Sequence, residues 1–202
     1  TPPRGVVTFT ATGGSGSGYT WTISENHSGG TIDAATGAYK AGSTGSVTDV
    51  VHVADSLGNT ASVSVEVTAG LTITPASPTV APLGTVDLDA SGGSNTDLVW
   101  SIADNKSGGT IDAATGAYKA GAAGDVSDVV QVTDSLGNVA TVTVQVTSPL
   151  TVTPSTATVS PLETLTLTAS GGAGGYAFTL RTNASGVSVS SASGAYTAGA
   201  KG

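Results

Sequence analysis

Three Asn-X-Ser sequences are the residues of this chain with the most specific potential chemistry. They begin at Asn26, Asn105 and Asn183, and their middle residue differs each time while asparagine and serine are kept. One interpretation is a turn in which asparagine tolerates a left-handed backbone. The other is N-glycosylation at a surface turn. Both interpretations remain open from the sequence, so all three asparagines are glycosylation candidates.

Repeated aspartates form the second set. Asp33, Asp49 and Asp55 have counterparts 79 residues later, at Asp112, Asp128 and Asp134. Turn capping is expected, because an aspartate side chain bonds nearby backbone N–H groups. The alternative is calcium at the junctions between repeats, which would need several converging oxygens. We expect no cofactor, and the weak calcium candidates are Asp55, Asp134, Asp87 and Asp89.

No set of residues in this sequence stands out as catalytic. There is no cysteine, and the two histidines, His27 and His52, are replaced by Lys106 and Gln131 at the equivalent places of the next repeat. No GxSxG elbow lies on a strand-to-helix turn. We therefore expect no catalytic residues and no enzymatic activity.

The composition excludes two classes of partner. The 202 residues carry a net charge of −8, with a pI of about 4.3, so nucleic acid and anionic membrane surfaces are poor partners. No apolar run approaches the roughly 18 residues that a membrane span needs. The chain has no methionine, which indicates a processed product or an excised piece.

A long internal repeat organises the chain. The string SGGTIDAATGAYKAG begins at Ser28 and again at Ser107, 79 residues later, and GAYTAG begins at Gly194, 78 residues after the second GAYKAG. A fixed period predicts a tandem array. The complete repeat contains about seven short segments of strand character, namely LTIT, TVDLDA, LVWSIA, GTID, GAYKAG, DVVQVTD and ATVTVQVT. Frequent turns between short strands are typical of an immunoglobulin-like sandwich.

The repeat resembles a known family in its turn and core motifs. The opening VTPSTATVSPLETLTLTASGG, the W-S-I segment, the TGAY hairpin and the closing TDSLGN with TVTV are similar to the immunoglobulin-like repeats of large bacterial surface adhesins and structural filaments. Cadherin-like bacterial repeats are near neighbours. The resemblance implies an extracellular stalk or fibre, sometimes with an adhesive tip, and contributes no catalytic residues.

The period predicts three modules. Module 1 comprises residues 1–69 and lacks its first strand, module 2 comprises residues 70–148 and is complete, and module 3 comprises residues 149–202 as the N-terminal part of a further copy. The linkers within VTAGLTIT and VTSPLTVT are short, and Pro149 restricts the second. Short linkers predict a semi-rigid rod.

Aromatic residues recur at equivalent positions in the modules. Their recurrence inside apolar alternations predicts core anchors, at Trp21, Trp100, Phe178, Tyr39, Tyr118 and Tyr196. A sugar-stacking platform would need aromatic residues outside this set, and Tyr19 and Tyr176 are the main ones.

The sequence therefore predicts an all-β extracellular or cell-surface protein with a structural or adhesive function, acting by reach and stiffness. Its expected partners are further copies of the module, with a homo-polymer, a surface glycan or a receptor as further candidates. One alternative is a glycan- or receptor-binding module acting through its loops. Another is a spacer within a secreted hydrolase.

Overall fold

The fold is described from a computed structural model, which describes residues 1–200. Residues 201 and 202, the last two of module 3, lie outside the described residues. Every regular element in this range is a β-strand. The predicted fold class, tandem all-β sandwich modules of the immunoglobulin-like type, is confirmed by the strand order given below.

Module 2 contains the complete set of strands. They are β7 (Thr72–Thr74), β8 (Thr79–Val80), β9 (Thr85–Asp87), β10 (Asp89–Ser91), β11 (Val99–Asp104), β12 (Thr110–Ile111), β13 (Ala117–Lys119), β14 (Val126–Thr133) and β15 (Val139–Val146). One sheet has the order β11-β14-β15-β8, a second has the order β12-β13-β9, and β10 pairs with β7.

Modules 1 and 3 contain parts of the same pattern. Module 1 has β1 (Val6–Thr8), β2 (Thr20–Glu25), β3 (Thr31–Ile32), β4 (Ala38–Lys40), β5 (Val47–Ala54) and β6 (Thr60–Val67), arranged as β2-β5-β6 and β1-β4-β3. Module 3 has β16 (Thr151–Thr153), β17 (Thr164–Thr166), β18 (Thr168–Ser170), β19 (Ser188–Val189) and β20 (Ala195–Thr197), arranged as β17-β20-β19 and β16-β18.

The core of module 2 lies between its sheets. Alternate residues of the hairpin formed by β14 and β15 point inwards, and Val130 faces Val142 across it. β-branched side chains suit such a pleated surface. The buried cluster also includes Trp100 and Tyr118, and Leu88 from between β9 and β10. Module 1 has a separate cluster built from the equivalent residues.

Two strands differ from the sequence prediction. The segment TVDLDA was predicted as one strand, but it divides at Leu88 into β9, which pairs with β13, and β10, which pairs with β7. The buried Leu88 donates its N–H to the Gly116 carbonyl instead of to a strand partner. The strand β8 was not predicted; it crosses to the other sheet and pairs in parallel with β15.

A glycine of the repeated TGAY motif allows the sheet to close over the tryptophan. Gly116 has a φ of 76°, and a Cβ on it would overlap the Leu88 carbonyl oxygen and press on the Trp100 ring. Gly108 has a similar φ of 77°, but a Cβ there would meet nothing within 4 Å. An alanine at Gly108 would therefore suffer backbone strain alone, whereas an alanine at Gly116 would suffer backbone strain and steric overlap together.

We predict that Gly108→Ala lowers the stability of module 2 by about 1–2 kcal/mol, which is the cost of a left-handed backbone for an L-residue. Gly116→Ala adds overpacking against Trp100 and should cost about 1–3 kcal/mol more. The measurement is urea unfolding followed by the indole N–H resonance of Trp100, with that of Trp21 reporting module 1 in the same sample. Equal losses for the two variants would contradict the packing described here.

Candidate functional site

A buried carboxylate ties three elements of module 2 together. Asp128 lies in β14 with no exposed surface. Its Oδ1 accepts hydrogen bonds from the backbone N–H groups of Lys106 and Ser107, both at 2.8 Å. Its Oδ2 accepts hydrogen bonds from Ser107 Oγ and the Tyr118 hydroxyl, both at 2.5 Å. One side chain thus joins β14, β13 and the loop that follows β11.

Module 1 contains the same network. Asp49 in β5 is fully buried, and its four donors are His27 N, Ser28 N, Ser28 Oγ and Tyr39 OH. The aspartate, serine and tyrosine are the same in both modules, whereas histidine replaces lysine at a place where the network uses only the backbone N–H. The network therefore depends on three side chains in each module.

The hydrogen bonds keep this buried carboxyl ionised. Burial would raise the pKa of Asp128, but the bonds from Ser107, Tyr118 and two backbone N–H groups outweigh burial and hold the pKa below its ordinary value. Burial, together with the bond to the carboxylate, raises the pKa of Tyr118 to about 12. The tyrosine hydroxyl therefore stays protonated at physiological pH and donates its hydrogen bond to Asp128.

The Asn-X-Ser sequences form the loop that surrounds this carboxylate. Asn105 Nδ2 donates to the Gly109 carbonyl at 2.9 Å, and the Gly109 N–H donates back to Asn105 Oδ1 at 2.8 Å. Asn26 closes the same ring with Gly30, and Asn183 closes it with Val187. The serine of the first two sequences binds the buried aspartate. Asparagine and serine thus recur for a structural reason in modules 1 and 2.

Glycosylation at these asparagines stays a prediction. All three side chains lie on the surface, and a glycan on Nδ2 would have to accommodate the bond that this atom donates to the loop carbonyl. Mass spectrometry of native material tests for a hexose-type mass increment at each of the three asparagines.

The other repeated aspartates cap turns. Asp112 Oδ1 accepts bonds from the N–H groups of Ala114 and Thr115, and Asp33 does the same in module 1. Asp134 accepts bonds from the N–H groups of Ser94, Leu136 and Asn138. Burial would raise the pKa of Asp134, but hydrogen bonds from the backbone N–H of Ser94 and from the side chain and backbone N–H of Asn138 lower it to about 2. For Asp49 and Asp128 the turn prediction is wrong, since both lie inside strands.

The calcium candidates do not converge in the structure. Asp87 and Asp89 are exposed on β9 and β10, which belong to different sheets. The oxygens of Asp55 and Asp134 accept N–H groups of their own turns. Among residues 1–200, no group of three or more His, Cys, Asp or Glu side chains could hold a metal ion. Calcium binding stays a prediction, and a calcium titration tests it.

The linkers between modules are held by hydrogen bonds from the backbone of the modules on both sides. The Thr68 carbonyl accepts a bond from Ser46 N–H in module 1, and the next carbonyl, of Ala69, accepts a bond from Gly93 N–H in module 2, both at 3.0 Å. A Cβ on Gly92 would overlap the Gly70 carbonyl oxygen. Glycine at this point therefore lets the linker pass directly over the loop of the next module.

The second linker repeats this arrangement. The Thr147 carbonyl accepts a bond from Asp125 N–H at 3.1 Å, and the Ser148 carbonyl accepts one from Gly172 N–H at 2.8 Å. A Cβ on Gly171 would overlap the Pro149 carbonyl oxygen. The SGG motif that begins at Ser91 and at Ser170 is thus the place where each linker is held.

A side chain also joins modules 1 and 2 directly. Asn138 Nδ2 donates to the Pro3 carbonyl at 3.1 Å, and it also donates to Asp134 Oδ2 in its own turn at 2.9 Å. Both Asn138 and Pro3 are buried. The counterpart of Asn138 in module 1, Asn59, is exposed and bonds Asp55 only within its own turn. Asn138 therefore has a contact that its counterpart lacks.

The predicted core aromatics differ between modules. Trp21, Trp100, Tyr39 and Tyr118 are buried, whereas Phe178 and Tyr196 of module 3 are half-buried. The two tyrosines outside the repeated set support loops, since Tyr19 OH donates to the Gly13 carbonyl and Tyr176 OH donates to the Gly171 carbonyl. Both hydroxyls are thus bound to the SGG loop or its equivalent.

The sequence contained a signal for the buried carboxylate that turn composition obscured. In DVVHV, Asp49 is separated from Val51 and Val53 by two and four residues. Side chains two residues apart in a strand lie on the same face of the sheet, so a strand here places Asp49 in the core with the two valines. The contact of Asn138 with Pro3 joins residues 135 positions apart. No local pattern predicts a contact at that separation.

Comparisons with known proteins identify structural neighbours only. No family model matches the chain, and no curated protein matches it. Among solved structures, the chain is similar to a C-terminal fragment of intimin in complex with the intimin-binding domain of its translocated receptor. The identity is 22%, the TM-score is 0.42, and the match covers 68% of this chain and 54% of that one.

Two further structures consist of several domains in tandem. One is the EC3-6 cis-dimer of protocadherin gammaB7, at 14% identity and a TM-score of 0.32, with 98% of this chain and 69% of that one covered. The other is the segment of eight N-terminal immunoglobulin domains of Down syndrome cell adhesion molecule, at 14% identity and a TM-score of 0.31, with 100% and 32% covered. The chain spans about half the length of the intimin fragment and about a third of the eight-domain segment. At these TM-scores the likenesses carry no argument about function.

We predict that Asp128→Asn lowers the stability of module 2 by about 2–3 kcal/mol at pH 7, because hydrogen bonds to a buried charge are lost. Because the pKa of Asp128 in the folded protein lies below its ordinary value, the stability that the ionised carboxylate contributes is present above about pH 4. That contribution is lost as the pH falls further. Acidification should therefore destabilise module 2 more in the wild type than in the variant.

The measurement is urea unfolding of the Trp100 indole resonance at pH 7 and at several values below pH 4. Asp87→Asn is the matched control, because it removes the same charge from an exposed side chain of the same module. A loss of stability that is equal in the two variants would contradict the network described above.

Proposed function

We propose that the chain is a segment of an extracellular stalk or filament, built from tandem immunoglobulin-like modules, whose function is reach and stiffness. The observation that supports this most directly is the enclosed linker. Consecutive linker carbonyls bind one module and then the next, and Asn138 adds a direct contact to Pro3. A short linker with both sides hydrogen-bonded restricts hinge motion at the joint.

The strand order within a module suits a load along the chain. The chain enters module 2 through β7 and β8 and leaves it through β15, and β8 pairs in parallel with β15. Backbone bonds at 2.9 Å (Gln145 N to Pro78 O) and 2.8 Å (Thr147 N to Val80 O) cross this pair. Pulling the two ends apart would shear these bonds together, so they would share the load.

The surface suits exposure to an aqueous medium. Charged residues make up only 10% of the chain, with a net charge of −8. The outward positions of β6 and β15 include Ser62, Ser64, Thr141 and Thr143. Within residues 1–200 there is no helix long and apolar enough to cross a membrane. The partners that this surface supports are further copies of the module, and adhesion to a receptor or glycan is a further proposal of the same class.

The cysteine-free sequence allows a direct test of the joint. Cysteines introduced at Thr22 and Ser101, which are equivalent exposed positions on β2 and β11, can carry spin labels. Double electron–electron resonance between them should give one narrow distance distribution. Asn138→Ala removes a bond worth about 1 kcal/mol and should broaden the distribution.

Asn59→Ala is the matched control. It removes the equivalent bond to the turn aspartate in module 1 without touching another module, so the distance distribution should keep its width. A broad distribution in the labelled chain without further substitutions would overturn the proposal of a stiff stalk.

A further inference from the structure

The Asn-X-Ser loop of module 2 holds its asparagine in one orientation. Asn105 Oδ1 accepts the Gly109 N–H at 2.8 Å, and Asn105 Nδ2 donates to the Gly109 carbonyl at 2.9 Å. Because both backbone groups belong to one residue, the two bonds run side by side. The second bond therefore uses the Nδ2 hydrogen that lies on the same side of the amide as Oδ1.

That hydrogen occupies the place that a sugar would take. An N-linked glycan converts the side chain into a secondary amide, and secondary amides keep their two carbon substituents on opposite sides of the C–N bond. The sugar carbon C1 then lies on the Oδ1 side. Since a single C–N bond is about 1.45 Å long, C1 placed along the 2.9 Å hydrogen bond would lie about 1.5 Å from the Gly109 carbonyl oxygen. The closed ring and the glycan exclude each other.

The serine of the sequence is enclosed as well. The sequence that a glycosyltransferase modifies is defined by asparagine and a hydroxyl two residues later. Ser107 is 4% exposed, and its Oγ donates to Asp128 Oδ2 and accepts a bond from the Gly121 N–H. The hydroxyl is therefore out of reach of an enzyme while the module is folded.

Module 1 has the same closed loop. Asn26 forms the ring with Gly30, and Ser28 is buried and donates to Asp49. The glycine of each ring, Gly30 or Gly109, is buried, so opening the ring leaves a backbone N–H and a carbonyl without their partners. A module with an open ring therefore cannot keep this part of its native packing.

We propose that Asn26 and Asn105 are glycan attachment sites of the unfolded chain only, and that a module carrying a glycan there cannot close its native loop. The donor is a sugar linked through C1 to a pyrophosphate. In the transfer the Nδ2–C1 bond forms, the bond from C1 to the pyrophosphate oxygen breaks with its electron pair on that oxygen, and one Nδ2 proton passes to a base of the transferase. Folding thus removes the attachment site, and attachment prevents folding.

Site-resolved mass spectrometry tests the first half of the proposal, after treatment of the folded chain with a soluble asparagine glucosyltransferase and a nucleoside-diphosphate glucose. The enzyme is chosen as one that adds hexose to a synthetic peptide of residues 101–111. Asp97→Ser is the matched control, because it creates an Asn-Thr-Ser sequence at Asn95 in an exposed loop of the same module. Hexose should accumulate at Asn95 and be absent from Asn26 and Asn105. The same extent of modification at Asn95 and Asn105 would overturn the proposal.

The second half is tested on chains that are modified before they fold. Co-expression with the same enzyme should add hexose during synthesis, and chains with one hexose at Asn105 are then isolated. The indole resonance of Trp100 should be lost from its native position, whereas that of Trp21 should stay in place because module 1 is unmodified. Hexose at Asn95 of the Asp97→Ser variant should leave both resonances native. A native Trp100 resonance in chains modified at Asn105, or co-expressed chains without hexose there, would overturn the proposal.

Discussion

The buried carboxylate of modules 1 and 2 is the interaction on which the rest of each module depends. An ionised aspartate between sheets is costly unless its oxygens are satisfied. Asp128 meets that requirement with four donors from a loop and a neighbouring strand. Those donors can reach it only if the loop after β11 turns inwards and β13 presents its tyrosine. The charge thus selects one arrangement of the loop.

This constraint accounts for the string that recurs without change. Ser107 binds the carboxylate and also accepts a bond from Gly121 N–H at 3.0 Å. A Cβ on Gly121 would overlap the Ser107 carbonyl oxygen. Between these residues lie the turn capped by Asp112, the close approach at Gly116 and the tyrosine of the network. The string therefore contains the serine and tyrosine of the network together with the turn and the glycines that position them.

Alternation was sufficient to predict the long strands and the core aromatics of modules 1 and 2. It failed where the chain changes sheets, because a two-residue strand such as β8 has no measurable period. It also failed at Leu88, because the alternation of polar and apolar residues in TVDLDA continues through the point where the strand divides. The function of Asp128 was missed because aspartate is common in turns and the chain is rich in them. The short linkers predicted a stiff joint between modules. They did not identify the N–H groups that bind the linker carbonyls.

In the proposed stalk, modules 1 and 2 form one stiff unit. Residual dipolar couplings of backbone N–H groups, measured in a weakly aligned sample, test it most directly. One alignment tensor should fit the couplings of residues 1–69 and of residues 70–148 with the same magnitude and direction in the orientation given by the structure. Two tensors of different magnitude would show independent motion at the linker and would contradict the account.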